Sequence, residues 1–352
     1  MRDFMKNNLF YYATSELSQD AFICWLASFA LEGAKPDHVL RECAREMLRL
    51  FVPELKGQAF TLRSVGRQEK NIDVLLSVAS CGKEYKIVVE DKTYTNEHDN
   101  QLIRYLDYLR DAYPGCIACG VYYKTGFQSD LSQVKQAGYH IVTRARMLEL
   151  LSVYIDKTVN QIFLDYFEYW NDFHRNSLLY RSLPLSQWDW SQIYAFYDDL
   201  QNGGFGEERE VWIGYGYVPN RSGGFRGLWT GTYNDYREIL GARCELYLQI
   251  EPEWNDDANG YTVPICLKLA PKPASGQGVS AREIRNAVAY DESWKYRLSE
   301  FHFSKPRRFA SGRHMTIGRY DASCKDAVQL ENVLSAAIED YKRLLDCLKN
   351  HD

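Results

Sequence analysis

The sequence predicts an α/β first half, with a mixed central sheet flanked by helices, followed by an α+β second half built on an antiparallel sheet. Three observations predict this. Residues 71–79, NIDVLLSVA, and 84–92, EYKIVVEDK, are apolar, β-branched runs of strand length. Stretches with helical spacing stand on both sides of them. Past residue 205 the pattern changes, and VWIGYGYV, GFRGLWTGTY, RCELYLQIE and YTVPICLKLA read as successive antiparallel strands separated by NRSGG and NDDANG. A chain of 352 residues can bury two cores, and the pattern divides it into a domain over 1–155, a helical connector over 156–205 and a second domain over 206–352.

Taken in order, YYATSELSQDAFICWLASFALE sets Phe22, Trp25, Leu26 and Phe29 on one helical stripe, with Thr14, Ser15 and Ser18 as candidate N-caps and Glu16 as an acid at the helix start. A second helix and a strand near QAFTLRSV follow. Then comes the hairpin: only Ser80-Cys81-Gly82-Lys83 separates its two strands. With Cys81-Gly82 as the loop, Ser80 faces Lys83, Leu76 faces Ile87, Val74 faces Val89, and Asp73 faces Glu90.

Alternation then assigns sides. Val88, Glu90 and Lys92 share one face with Asp73, while Ile87, Val89 and Asp91 share the other, so Asp91 points away from the trio. Two carboxylates directly opposite repel and require a cation. Lys92 is one candidate and a hard divalent metal the other, since carboxylates plus water are the ligands Mg²⁺ prefers. A solvated hairpin end with a simple Lys92–Glu90 ion pair is the plainer account. It sits poorly with flanks as apolar as VVE and IDVLL, which suit central strands.

After a polar stretch, QLIRYLDYLRDAY repeats Leu102, Tyr105, Leu106 and Leu109 at helical spacing, with Asn96 or Asp99 as candidate caps. Gln101 and Tyr105, four apart, share a face. GCIACGVYYKT as a strand, DLSQVKQAG as a short helix, YHIVT as a strand and ARMLELLSVYI as a helix complete the first half.

These features resemble the PD-(D/E)XK nuclease superfamily over roughly the first 150 residues. Asp73 matches the acid of one strand, Glu90 and Lys92 match the Glu-x-Lys of the next, and Ile72 stands where a proline would precede the acid. Gln101-x-x-x-Tyr105 is similar to the signature of the RecB-like and lambda-exonuclease-like branch. The opening helix resembles a subgroup with a Glu followed by Phe-x-x-Trp-Leu. The resemblance implies a restriction-endonuclease-like core and a Mg²⁺- or Mn²⁺-dependent nuclease of bacterial or phage-related type, acting on DNA before RNA, in defence or repair. It implies Asp73, Glu90, Glu16 and the Asp91 carbonyl as metal ligands. It gives Lys92 the role of orienting or deprotonating water, with Gln101 and Tyr105 as positioning groups. A partner-activated or non-catalytic nucleic-acid-binding module that keeps the fold is the second account.

Composition narrows the rest. No window is apolar enough to span a membrane, the start lacks a signal-peptide plan, and the nine cysteines are scattered, all of which fits reduced thiols in a cytoplasmic protein. No His-Glu-x-x-His, paired Cys-x-x-Cys or phosphate-binding Gly-x-x-x-x-Gly-Lys-Ser/Thr occurs, so a zinc enzyme or an ATP-driven motor is not expected, and translocation would need a partner protein. His98 lies close enough in sequence to reach the trio, or simply caps a polar turn. The net charge of −5 does not advertise a nucleic-acid binder, but HFSKPRRFASGRH gathers Lys305, Arg307, Arg308 and Arg313 around Phe303 and Phe309, a pattern suited to a phosphate backbone or to a solvated loop. Helices over NQIFLDYFEYWNDFHR, AREIRNAVAY and DAVQLENVLSAAIEDYKRLLDCL and a strand over RHMTIGRY complete the second half, whose aromatics are expected in its core. Oligomeric state is left open, with a homo-oligomer or a partner protein both compatible.

Overall fold

The computed structural model describes residues 7–349 apart from 14, 35–36, 98–99, 221–222, 234–235, 256–259, 273–278, 307–312 and 321–323. The chain divides into two compact units, Met1–Arg175 and Asn176–Asp352. The stretch 156–205, expected as a connector, is therefore shared between them. Phe163, Tyr166 and Trp170 belong to the core of the first unit because the helix that carries them buries its aromatic stripe there.

The first unit opens with α1 (Glu16–Ser28) and α2 (His38–Phe51), followed by an antiparallel meander of β1 (Phe60–Glu69), β2 (Ile72–Ser80) and β3 (Lys83–Lys92). Helix α3 (Gln101–Ala112) then carries the chain to β4 (Ile117–Lys124), and α4 (Ser132–Gln136) carries it to β5 (Tyr139–Thr143), both strands running parallel to β3. Helices α5 (Arg144–Ser152) and α6 (Gln161–Leu178) close the unit. The sheet order is β1-β2-β3-β4-β5, a mixed sheet as the sequence predicts.

The β2–β3 turn has the chemistry its register needs. Cys81 and Gly82 both take positive φ, 49° and 73°, which is the two-residue reversal that matches the twist of antiparallel strands. Ser80 stands opposite Lys83, Leu76 opposite Ile87 and Val74 opposite Val89, as the count along the sequence has it. The paired ladder ends at Val74–Val89, one step short of Asp73 and Glu90.

Two cores hold this sheet. Val74, Leu76, Val78, Ile87 and Val89 pack with α1, α2, α5 and α6, whereas Leu75 and Val88 pack with Leu102, Tyr105, Leu106 and Leu109 of α3. On α1 the predicted stripe is seated by Phe22, whose ring stacks on Tyr166 of α6 with centroids 3.5 Å apart. Ile87, Val88 and Val89 are fully buried, each contributing about 1.5–3 kcal/mol, so β3 is anchored on both faces right up to its charged end. That end, the end of β4 and the start of β2 lie together at one edge of the sheet, where open α/β sheets place their ligands.

The second unit carries α7 (Trp190–Asn202), α8 (Phe205–Glu208), β6 (Trp212–Val218), β7 (Phe225–Gly231), β8 (Tyr236–Ile239), β9 (Ala242–Ile250), β10 (Glu253–Asn255), β11 (Gly260–Thr262), β12 (Ile265–Pro271), α9 (Ala281–Ala289), α10 (Glu292–Glu300), β13 (Phe303–Ser304), β14 (Met315–Tyr320) and α11 (Ala327–Lys349). Its sheet is antiparallel throughout, in the order β13-β14-β12-β9-β7-β6 with β8 beside β9. The predicted strand YTVPICLKLA is two strands, β11 and β12, because Pro264 has no N–H for a ladder. Helix α11 lies on the sheet, where the Tyr341 hydroxyl donates to the Leu246 carbonyl at 2.8 Å. Among the described residues no helix is long and apolar enough to cross a membrane.

Candidate active site

The edge of the first sheet gathers most of the residues singled out by sequence. Glu90 is fully buried and Lys92 is 8 % exposed. The Lys92 ammonium donates to Glu90 Oε1 and lies 3.9 Å from Asp73 Oδ2, so the three converge on one face as alternation requires. Gln101, the first residue of α3, donates its amide to Glu90 Oε1 at 2.9 Å and to the Tyr105 hydroxyl at 2.8 Å. Tyr105 in turn donates to the Asn71 carbonyl, tying α3 to the start of β2. Among the described residues the helix N-cap is Asn100, in a left-handed conformation, and Asn96 instead accepts from Lys124 at 3.5 Å.

Asp91 requires a correction. Its side chain does leave the face of Glu90, but it does not leave the site. It is 1 % exposed and meets Asp20 of α1, and one oxygen each from Asp20, Asp73 and Asp91 lie within 4.8 Å of one another. Where the ladder stops, Asp73 stands between the two faces and is reached from both. Asp20, also 1 % exposed, is the residue that sequence reasoning missed. Its signal was present, as an acid inside a buried helical stripe and one turn beyond Glu16.

Glu16 also differs from expectation. Its Oε1 accepts from the Thr93 amide at 2.8 Å and the Thr95 hydroxyl at 2.9 Å, so it clamps the turn after Lys92 and lies outside the carboxylate triangle. Lys124, beside Lys92 in the parallel register, holds the same turn through the Thr95 carbonyl at 2.6 Å. Behind it the buried Gln19 amide donates to Thr93 Oγ1 at 2.5 Å and Thr125 Oγ1 at 3.1 Å, and the two threonine hydroxyls are 2.8 Å apart.

The electrostatics follow from burying four acids beside one ammonium. Burial, then Asp73, pushes the Glu90 carboxyl up to about 8 against the pull of Lys92. Burial and Asp20 raise Asp73, which Lys92 opposes. Burial, then Asp20, Asp73 and Glu16, hold Asp91 well above the usual carboxylate range. For Lys92 burial alone would lower the ammonium, but Glu90, Asp73 and Glu16 together outweigh it and raise it. Glu90 Oε2, both Asp91 oxygens and Asp20 Oδ1 are buried without a hydrogen-bond donor. Hard anionic oxygens lacking donors are the set a divalent cation takes, so the residues fit such an ion.

No protein-family model, curated protein or solved structure matches the chain. The site therefore stands on its own geometry.

Lys305 and Arg313 are exposed residues of the second unit between β13 and β14, with Arg313 donating to the Pro271 carbonyl at 3.1 Å. His98, Asp99, Arg307 and Arg308 lie outside the described residues.

Proposed function

We propose that the first unit is a divalent-metal-dependent phosphodiester hydrolase of the PD-(D/E)XK type, acting on nucleic acid and on DNA before RNA. The observation that carries this is the Lys92 ammonium held between Glu90 and Asp73 at the ends of neighbouring strands, with Gln101 fixing Glu90 from the next helix. The carboxylates that meet at Asp73 would hold Mg²⁺ or Mn²⁺, which would supply positive charge for a scissile phosphate and acidify bound water.

The side chains do the rest. Because its acidic neighbours raise Lys92, it keeps its proton near neutral pH and acts as a donor that orients water and offsets charge on the phosphate, in preference to acting as a base. Glu90 holds the ammonium in place, and Gln101 and Tyr105 hold Glu90 and the start of β2. Buried walls on both faces of β3 keep these groups from relaxing into water.

The test is cleavage of supercoiled plasmid, single-stranded DNA and RNA by the purified chain with Mg²⁺, Mn²⁺ or EDTA. Cleavage is expected with either metal, none with EDTA, and none in Asp73→Ala or Lys92→Ala. A folded Lys92→Ala protein that still cuts would sink the reading.

A further inference from the structure

We infer that the divalent cation is seated on Asp20, Asp73 and the Asp91 side chain, while Glu90 belongs to Lys92 and Gln101 and is not a metal ligand. This deepens the metal-dependent reading above and rests on it for what the ion does.

The charges at this edge are unevenly matched. Glu90 has an ammonium and an amide on Oε1 while its buried Oε2 meets no donor, and Asp73 has the ammonium at 3.9 Å. Among the described residues no cationic side chain pairs with Asp20 or Asp91. Among the described residues the side-chain donor on this side is the Gln68 amide, 3.0 Å from Asp20 Oδ2 and 3.3 Å from Asp73 Oδ1. A buried carboxylate with neither cation nor donor is costly, and Asp91 is 1 % exposed with both oxygens in that state. The cation-deficient place is therefore the α1 side of β3, not the α3 side.

Spacing agrees. Three ligand oxygens spread evenly around one ion stand about 3.6 Å apart for Mg²⁺ and about 4.2 Å apart for Ca²⁺. The three carboxylates offer oxygens within 4.8 Å of one another, which one ion can bridge with small side-chain adjustment. The elements that present them are rigid: α1 is packed through Phe22 and Ile23, and Asp91 stands two positions after the fully buried pair Val88 and Val89. Gln68 spans Asp20 and Asp73 and sets their separation.

The experiment compares the full-length protein with Asp20→Asn, Asp91→Asn and Glu90→Gln, all of nearly unchanged shape. Bound Mn²⁺ is counted from the electron paramagnetic resonance signal of the free ion, and the fold is checked by circular dichroism. Asp20→Asn and Asp91→Asn are expected to weaken Mn²⁺ binding by about tenfold or more, and Glu90→Gln to leave it unchanged while abolishing cleavage. Equal weakening by Glu90→Gln, or wild-type affinity in both Asp→Asn proteins, would overturn the seat, the latter leaving Asp20 and Asp91 as a carboxyl pair joined by a shared proton. Metal-dependent cleavage with Asp20-insensitive binding would sink the seat and leave the nuclease reading. Asp20-sensitive binding without any cleavage would do the reverse.

Discussion

Gln101 Nε2 lies 2.9 Å from Glu90 Oε1, so the first residue of α3 grips a carboxylate of β3 eleven positions earlier. The contact makes the helix part of the site and not merely its cover.

Gln101→Ala removes that donor and the link to Tyr105 while keeping Leu102 and Leu106 in the core. A hydrogen bond is worth about 0.5–3 kcal/mol according to the charge on its acceptor, so cleavage should fall roughly twofold to a hundredfold with the fold retained. Initial rates on plasmid measure it, and an unchanged rate would remove Gln101 from the machinery.

Glu16 is expected to act through the turn after Lys92. Glu16→Gln keeps an acceptor for Thr93 and Thr95, so it should leave Mn²⁺ binding intact and lose about 1 kcal/mol or less. Glu16→Ala should cost about 1–3 kcal/mol by leaving the Thr93 amide unmet. Urea unfolding separates the two variants, and loss of Mn²⁺ binding in Glu16→Gln would show Glu16 to be a ligand after all.

Gly126 allows the closest backbone approach at the site. A Cβ there would stand 1.9 Å from the Thr93 carbonyl oxygen, which only a backbone shift can relieve. The Thr125 amide bonds the Lys92 carbonyl at 3.1 Å, so that shift would drag the end of β3. Gly126→Ala should therefore destabilise by about 3 kcal/mol or more and sharply reduce soluble yield. A wild-type melting temperature would contradict the packing described.

Lys124 sets a pH dependence. Burial lowers its ammonium from 10.5 to about 8, with Glu16 and Glu97 opposing the shift and Lys92 adding to it. Between those values the unfolded chain binds more protons than the folded one, so the cost of burying the charge is full below about pH 8 and fades as pH rises toward 10.5. Lys124→Met should lack this gain. Urea midpoints of both proteins at about pH 7 and about pH 10 test it, since the difference between them cancels the groups they share.

Much of the site was legible because turn chemistry and period carry it. Cys81-Gly82 specified the hairpin, the hairpin specified the register, and the register put Asp73, Glu90 and Lys92 together. Four-residue spacing placed Gln101 with Tyr105. What escaped depended on tertiary partners. Alternation correctly turned Asp91 off the Glu90 face, but nothing local says that a helix acid waits behind it. Glu16 looked like that acid because it opens α1, yet helix geometry lets its carboxylate reach the turn at Thr93 while Asp20, one turn later, faces the strands. In the second unit, α7 starts at a capping box of Asp189 and Gln192, a spacing visible in the sequence.

The connection between β1 and β2 has a consequence for how this protein can change. Gln68, Lys70 and Asn71 all hold positive φ, between 54° and 65°, a conformation that side chains tolerate at some expense. The same few residues supply the Gln68 amide to Asp20 and Asp73 and the Asn71 carbonyl to Tyr105. Glycine at Lys70 would relax the backbone and loosen the segment that aims both contacts. Selection for a sturdier protein and selection for the geometry of these contacts therefore pull on this reversal in opposite directions, and a screen for thermostability alone would favour losing the contacts.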